Sequence, residues 1–318
     1  MTRPTRSSRR TRSTTGPFTP RGSFSRSSRS TPTELRDPGV GLAEHRVRLP
    51  DGRHLRCVTG GTTGPLVLLE CGLGNTAGTW VTVQRLLSAT CRTIAYDRAG
   101  IGGSDVDTHP RSLTRMADDL AALLDALAVE EPVVLVGHSW GGPLIRVLAE
   151  RRPEHVRALM LIDPTIAAVK KWVRPVRPLY LKLIWKVRMG GRERLLHSYR
   201  TGRWAQEMPP QDLKVAFHDF MTSANLQASW QEIRPQMSTW PELIRLESSP
   251  SAVPIRFLVG VDRPDPLRTV MAEGCARIAA LSPVGGTVLV ADAGHSIPQE
   301  RPVRTAREID DFVSGLPQ

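Results

Sequence analysis

Residues 133–144 read Val133-Val134-Leu135-Val136-Gly137-His138-Ser139-Trp140-Gly141-Gly142-Pro143-Leu144. The first four side chains are all apolar with no polar alternation, the pattern of a strand covered on both faces. This strand runs into Gly-x-Ser-x-Gly and then into a helix-compatible stretch, the context in which a serine is turned out sharply at a strand end. Small residues at 137 and 141 let the chain turn without side-chain clashes, so Ser139 keeps its oxygen exposed. Unpaired amides at the start of the next helix make the position electropositive.

Outward from this segment, apolar runs at 65–70, 93–97, 158–163, 255–260 and 287–291 read as further strands. Stretches 45–49 and 53–58 alternate around Pro50-Asp51-Gly52 and predict an N-terminal hairpin with one wet face. Leu120, Leu123, Leu124 and Leu127 share one stripe of a helix, as do Ile309, Phe312 and Val313 near the C-terminus. Strand and helix alternate, which predicts an α/β fold with a mostly parallel, doubly wound sheet. The alternation breaks after Asp163, where about 90 residues pass before the next strand, far beyond an ordinary loop. Residues 165–250 are therefore expected to form an inserted helical lid, between core segments 41–164 and 251–318.

The chain resembles the α/β-hydrolase superfamily, in its serine-nucleophile branch, over roughly residues 42–316. The resemblance rests on the Gly137–Gly141 motif, on Leu69-Glu70-Cys71-Gly72-Leu73-Gly74-Asn75, on Tyr96-Asp97-Arg98-Ala99-Gly100-Ile101-Gly102-Gly103-Ser104, and on Ala293-Gly294-His295-Ser296-Ile297-Pro298. The family commonly has His-Gly where this chain has Cys71-Gly72. An oxyanion hole made of backbone amides does not require that histidine. Ser rather than Asp at the nucleophile position speaks against the haloalkane dehalogenase and epoxide hydrolase branches, which the resemblance implies use a carboxylate.

A serine hydroxyl needs a base to take its proton. Of the eight histidines, His295 follows a strand in a Gly-His loop, as the family's general base does, whereas His138 lies inside the turn and is expected to point away from the reaction. The family's chain order of Ser, acid, His places the acid after the strand 255–260. The usual Gly-x-x-Asp spacing is broken there, because Arg263 holds that place and Asp262 and Asp265 flank it. Asp262 is the preferred acid, being closest to the strand end, and Asp265 is the alternative. Asp163, after the preceding strand, is a substitute site that some family members use. The expected oxyanion donors are the backbone amides of Leu73 and Trp140.

The formal net charge is +12 over 318 residues. Residues 1–30 hold eight arginines and no acid, and 165–204 hold eleven Lys/Arg against Glu193, so the rest of the chain is net negative by six. A nucleic-acid role would rest on the first segment alone, and nucleic acid is not expected as a partner. Residues 1–40 read as a disordered basic tail; the same composition also suits an organelle transit peptide. Four scattered cysteines give no metal, redox or disulfide pattern and fit a reducing, cytoplasmic setting. No stretch has the apolar length of a membrane span or the apolar core of a secretory signal.

Residues 178–188 interleave bulky apolar side chains with cations. An ordinary lid helix with a solvated basic face is the plainer reading, and a weak contact with anionic surfaces is the other. The expected function is cofactor-independent and metal-independent cleavage of a small or medium-sized, mostly apolar carboxylic ester through an acyl-enzyme. Acyl transfer, perhydrolysis, C–C bond hydrolysis and non-catalytic ligand binding are the alternatives on the same scaffold.

Overall fold

The computed structural model describes residues 41–317 except 203–205, 219, 221 and 264. The tail expected over 1–40 lies outside the described residues. Strands β1 (Leu42–Arg48), β2 (His54–Gly60), β3 (Leu66–Glu70), β4 (Arg92–Tyr96), β5 (Val133–His138), β6 (Val156–Ile162), β7 (Ile255–Gly260) and β8 (Gly285–Val290) form one sheet in the order β1-β2-β4-β3-β5-β6-β7-β8. β2 runs antiparallel to both β1 and β4, and every other pairing is parallel. The β1–β2 hairpin closes through Gly52, which adopts φ +89°, with the Leu49 amide donating to the Arg53 carbonyl at 2.7 Å.

Helices α1 (Val81–Leu87), α2 (Leu113–Ala126) and α3 (Gly141–Arg151) follow β3, β4 and β5. Between β6 and β7 come α4 (Lys170–Val173), α5 (Val176–Lys186), α6 (Arg192–Thr201), α7 (Pro210–Phe217), α8 (Ser223–Ile233) and α9 (Trp240–Ser248). Helix α10 (Pro266–Ala279) follows β7, and α11 (Ile297–Glu300) and α12 (Pro302–Ser314) complete the chain. Ser112 caps α2 by accepting the Arg115 amide, which satisfies one of the free donors at that end.

The apolar runs lack polar alternation because both faces of the sheet are covered. Val67, Leu69, Val134, Val136 and Met160 join one core with α1 and α12, while Leu68, Leu135, Leu159 and Phe257 join the other with α2, α3 and α10. The run at 287–291 departs from this pattern. It forms the edge strand β8, where only one neighbour is paired, and Leu289 is 53% exposed. The four cysteines are free and buried. No helix among the described residues is long and apolar enough to cross a membrane.

Phe257 sits in the middle of β7 with no exposed surface. Phe257→Ala is expected to lower the unfolding free energy by about 3–5 kcal/mol, through lost burial and the cavity left behind; urea unfolding measures this.

Candidate active site

Strand β5 ends at His138, and Ser139 turns the chain with φ +53°, a left-handed conformation costly for a residue with a Cβ. The turn is tight enough to exclude other side chains at its flanks. A Cβ on Gly137 would lie 2.7 Å from the Gly141 carbonyl oxygen, and one on Gly141 would lie 2.7 Å from the Cys71 carbonyl oxygen. The Ser139 amide donates to the Ile162 carbonyl at 3.0 Å, and its own carbonyl accepts the amides of Gly142 and Thr165.

His295, in the loop after β8, reaches this serine. Its Nε2 lies 2.9 Å from Ser139 Oγ and its Nδ1 2.6 Å from Asp163 Oδ2. A carboxylate facing Nδ1 requires the proton there, which leaves Nε2 free to accept the serine O–H. Asp163 is 1% exposed and follows β6 with φ +43°. Its other oxygen accepts the Gly260 amide at 3.0 Å, and Arg268 Nη1 donates to both oxygens, at 3.0 and 2.7 Å. Burial alone would raise the Asp163 carboxyl, but the His295 hydrogen bond and charge, together with the Arg268 guanidinium, outweigh it and hold the group below the usual carboxylate range.

The acid expected at Asp262, with Asp265 as alternative, is therefore corrected: Asp163 faces the histidine. β6 and β7 are parallel neighbours, so their C-terminal ends stand side by side, and a carboxylate after either can reach the same loop. The Asp163 amide donates to Leu258 on β7 at 2.7 Å, which locks it at that edge. Asp265 Oδ1 instead accepts the Leu267 amide at 2.8 Å as the N-cap of α10. The Asp262 amide donates to the Ala293 carbonyl, and Arg263 at the usual acid position has a 73% exposed side chain.

His138 is buried, and its Nε2 donates to the His295 carbonyl at 2.8 Å, so it holds the loop that carries His295. Burial, followed by the nearby His295, pushes its pKa down to about 4 and keeps it neutral.

Leu73 and Trp140 both line the cavity beside Ser139, and neither backbone amide donates to another group among the described hydrogen bonds. The loop after β3 that carries Leu73 is fixed by a buried cluster that sequence reasoning missed. Arg98 donates to the carbonyls of Cys71 and Gly72 at 2.7 and 2.8 Å, to Glu70 at 2.6 Å, and to both oxygens of Glu232 on α8 at 2.8 and 2.7 Å. Tyr96 donates to the second Glu70 oxygen. Asn225 Nδ2, also on α8, donates to the Gly74 carbonyl at 2.7 Å. Glu70 and Arg98 lie within the quoted motifs, but Glu232 follows Arg98 by 134 residues and Asn225 follows Gly74 by 151, and no spacing signals the pairing.

The cavity over Ser139 has a volume of about 610 Å³. Its walls are mainly apolar, with Trp172, Leu183, Leu226 and Met271 among them, and the amides of Asn75, Asn225, Gln236 and Gln299 add polar points. Among the described residues, no group of three or more His, Cys, Asp or Glu side chains is placed to hold a metal.

The sequence model of the alpha/beta hydrolase family matches residues 66–308. The chain is 32% identical over 208 residues to lipase LipV of Mycobacterium tuberculosis, covering 63% of this chain and 75% of that protein. It is 43% identical over 100 residues to a putative carbamate hydrolase, RutD, of Azorhizobium caulinodans, covering 31% of this chain and 37% of that protein. The chain spans only 26–37% of the length of several curated relatives it matches. An epoxide hydrolase from an endophytic Streptomyces superposes with a TM-score of 0.71 at 23% identity, covering 87% of this chain and 96% of the other.

Two outcomes follow from this geometry. Arg98→Met strands two buried carboxylates and is expected to cost about 3–5 kcal/mol of stability in urea unfolding. The unfolded chain protonates His138 near 6.5 and the folded one near 4, so on acidification the unfolded state binds the proton first. Stability from this group is present above pH 6.5 and is lost as the pH falls towards 4, by about 2–3 kcal/mol; His138→Gln should flatten the pH dependence of unfolding across that window.

Proposed function

From the premise that the chain belongs to the α/β hydrolase family, we propose that it is a serine hydrolase acting on a small or medium-sized, mostly apolar carboxylic ester. The observation that carries this reading is the continuous chain Ser139 Oγ–His295–Asp163, at 2.9 and 2.6 Å, opening into a cavity with mainly apolar walls. Ser139 Oγ attacks the ester carbonyl carbon while its proton passes to His295 Nε2. The carbonyl oxygen becomes an oxyanion between the amides of Leu73 and Trp140, each such donor contributing about 3–4 kcal/mol to the barrier reduction. Collapse breaks the C–O bond, and His295 returns the proton to the departing alcohol. Water, deprotonated by the same imidazole, then releases the acid from Ser139. Asp163 keeps the Nδ1 proton in place and stabilises the imidazolium.

The name of the Mycobacterium relative supports the ester reading, and that of the Azorhizobium relative makes carbamates the natural second class to assay. The epoxide hydrolase likeness supports the fold alone. Ser139 stands in the turn where a carboxylate nucleophile would be required for that chemistry.

A fluorophosphonate probe tests the reading. The full chain is expected to label and Ser139→Ala to show no labelling, with hydrolysis across a series of ester chain lengths lost by at least about 10³-fold in the same variant. Absence of Ser139-dependent labelling in the folded protein would favour a ligand-binding role instead.

A further inference from the structure

We propose that the outer face of α5 is a docking surface for an anionic lipid bilayer. This proposal does not depend on the reading of Ser139. Of ten exposed large apolar side chains among the described residues, three fall on this one helix: Leu179, Leu181 and Trp185, the last 67% exposed. Leu183 and Ile184 take the inward positions, where both pack beside Leu226 of α8, and Leu183 also lines the cavity. Burial in the fold therefore accounts for one row of apolar side chains on α5 and leaves a second row facing solvent.

Leu181 and Trp185 stand one helical turn apart, as do Lys182 and Lys186 beside them. The outer face is thus an apolar row next to a cationic row. The apolar row continues into a shallow groove of about 510 Å³ lined by Pro178, Leu181, Trp230 and Met237, with Arg174 at its side. Lys170, Lys171 and Arg174, at the start of the insertion, are exposed too. None of these five cations makes an ion pair with a described residue, although Lys171 Nζ lies 4.0 Å from the Trp172 ring centroid.

Charge complementarity selects the occupant. Residues 165–204 carry eleven cations against one acid, and Lys170, Lys171, Arg174, Lys182 and Lys186 among them are exposed. A Trp and a Leu inserted to the acyl boundary, with lysines reaching the headgroup phosphates alongside them, suit an anionic bilayer. The helix is eleven residues long and lies on this surface rather than crossing it.

The test is sedimentation of the full chain with sucrose-loaded vesicles, either phosphatidylcholine alone or with about one phosphatidylglycerol in three lipids. Three proteins are compared: wild type, the pair Leu181→Ser/Trp185→Ser, and the pair Lys182→Gln/Lys186→Gln. Wild type is expected to bind the anionic vesicles, with emission quenched by brominated lipid. The serine pair should bind at least about tenfold more weakly, and the glutamine pair about fivefold more weakly per charge removed. Circular dichroism and the thermal midpoint should be unchanged in both pairs, because all four side chains are exposed. Three results would each overturn the proposal: no binding, equal binding to neutral vesicles, or anionic binding retained in full by both pairs. The last would assign the contact to the arginine-rich residues 1–30.

Discussion

The Asp163 carboxylate is the point on which the rest of the site depends. It is buried where a lone charge would be very costly, and three donors from three elements make four hydrogen bonds to it: the Gly260 amide at the end of β7, the Arg268 guanidinium through one nitrogen to both oxygens, and His295 Nδ1. Satisfying this one charge brings together the ends of β6 and β7, the first turn of α10 and the loop after β8. Arg268 does more than neutralise. Its Nη1 lies 2.7 Å from Oδ2, the same oxygen that faces His295 Nδ1, so guanidinium and imidazole share one anchor, and His295 Nε2 lies 2.9 Å from Ser139 Oγ.

A second buried charge cluster does for the loop after β3 what Asp163 does for His295. Arg98 is shared between Glu70 at the end of β3 and Glu232 on α8, and its remaining donor capacity goes to the carbonyls of Cys71 and Gly72. The loop carrying Leu73 is thereby held from behind, with the helical insertion as part of the support. The insertion consequently has two faces with different duties: α8 is tied to Arg98 and the loop after β3, while α5 presents an apolar and cationic surface outward.

Much of this was legible in the chain itself. The apolar run at 133–136, the glycines at 137 and 141 and the Gly-His pair at 294–295 are local signals, and local sterics produce the strand, the turn and the loop that they indicate. The acid was not legible in the same way. Asp163 closes an apolar run and reads as the end of a strand; its role comes from β6 lying beside β7, a pairing between segments about 100 residues apart. The family's chain order put the loop after β7 first, where Asp265 caps a helix, and left Asp163 as the substitute site. The Arg98 cluster escaped for the same reason, since Glu232 follows it by 134 residues. On α5, the interleaving of Leu and Lys left the direction of each face open until neighbours fixed Leu183 inward and Leu181 outward.

The central claim is that Asp163, and neither Asp262 nor Asp265, orients His295 towards Ser139. The most direct measurement is the second-order rate of fluorophosphonate labelling in Asp163→Asn, Asp262→Asn and Asp265→Asn, with folding checked by circular dichroism. Asp163→Asn should label about 10³–10⁴-fold more slowly than wild type, while the other two stay within about threefold. Labelling of Asp163→Asn at the wild-type rate, with collapse in Asp262→Asn, would contradict the account.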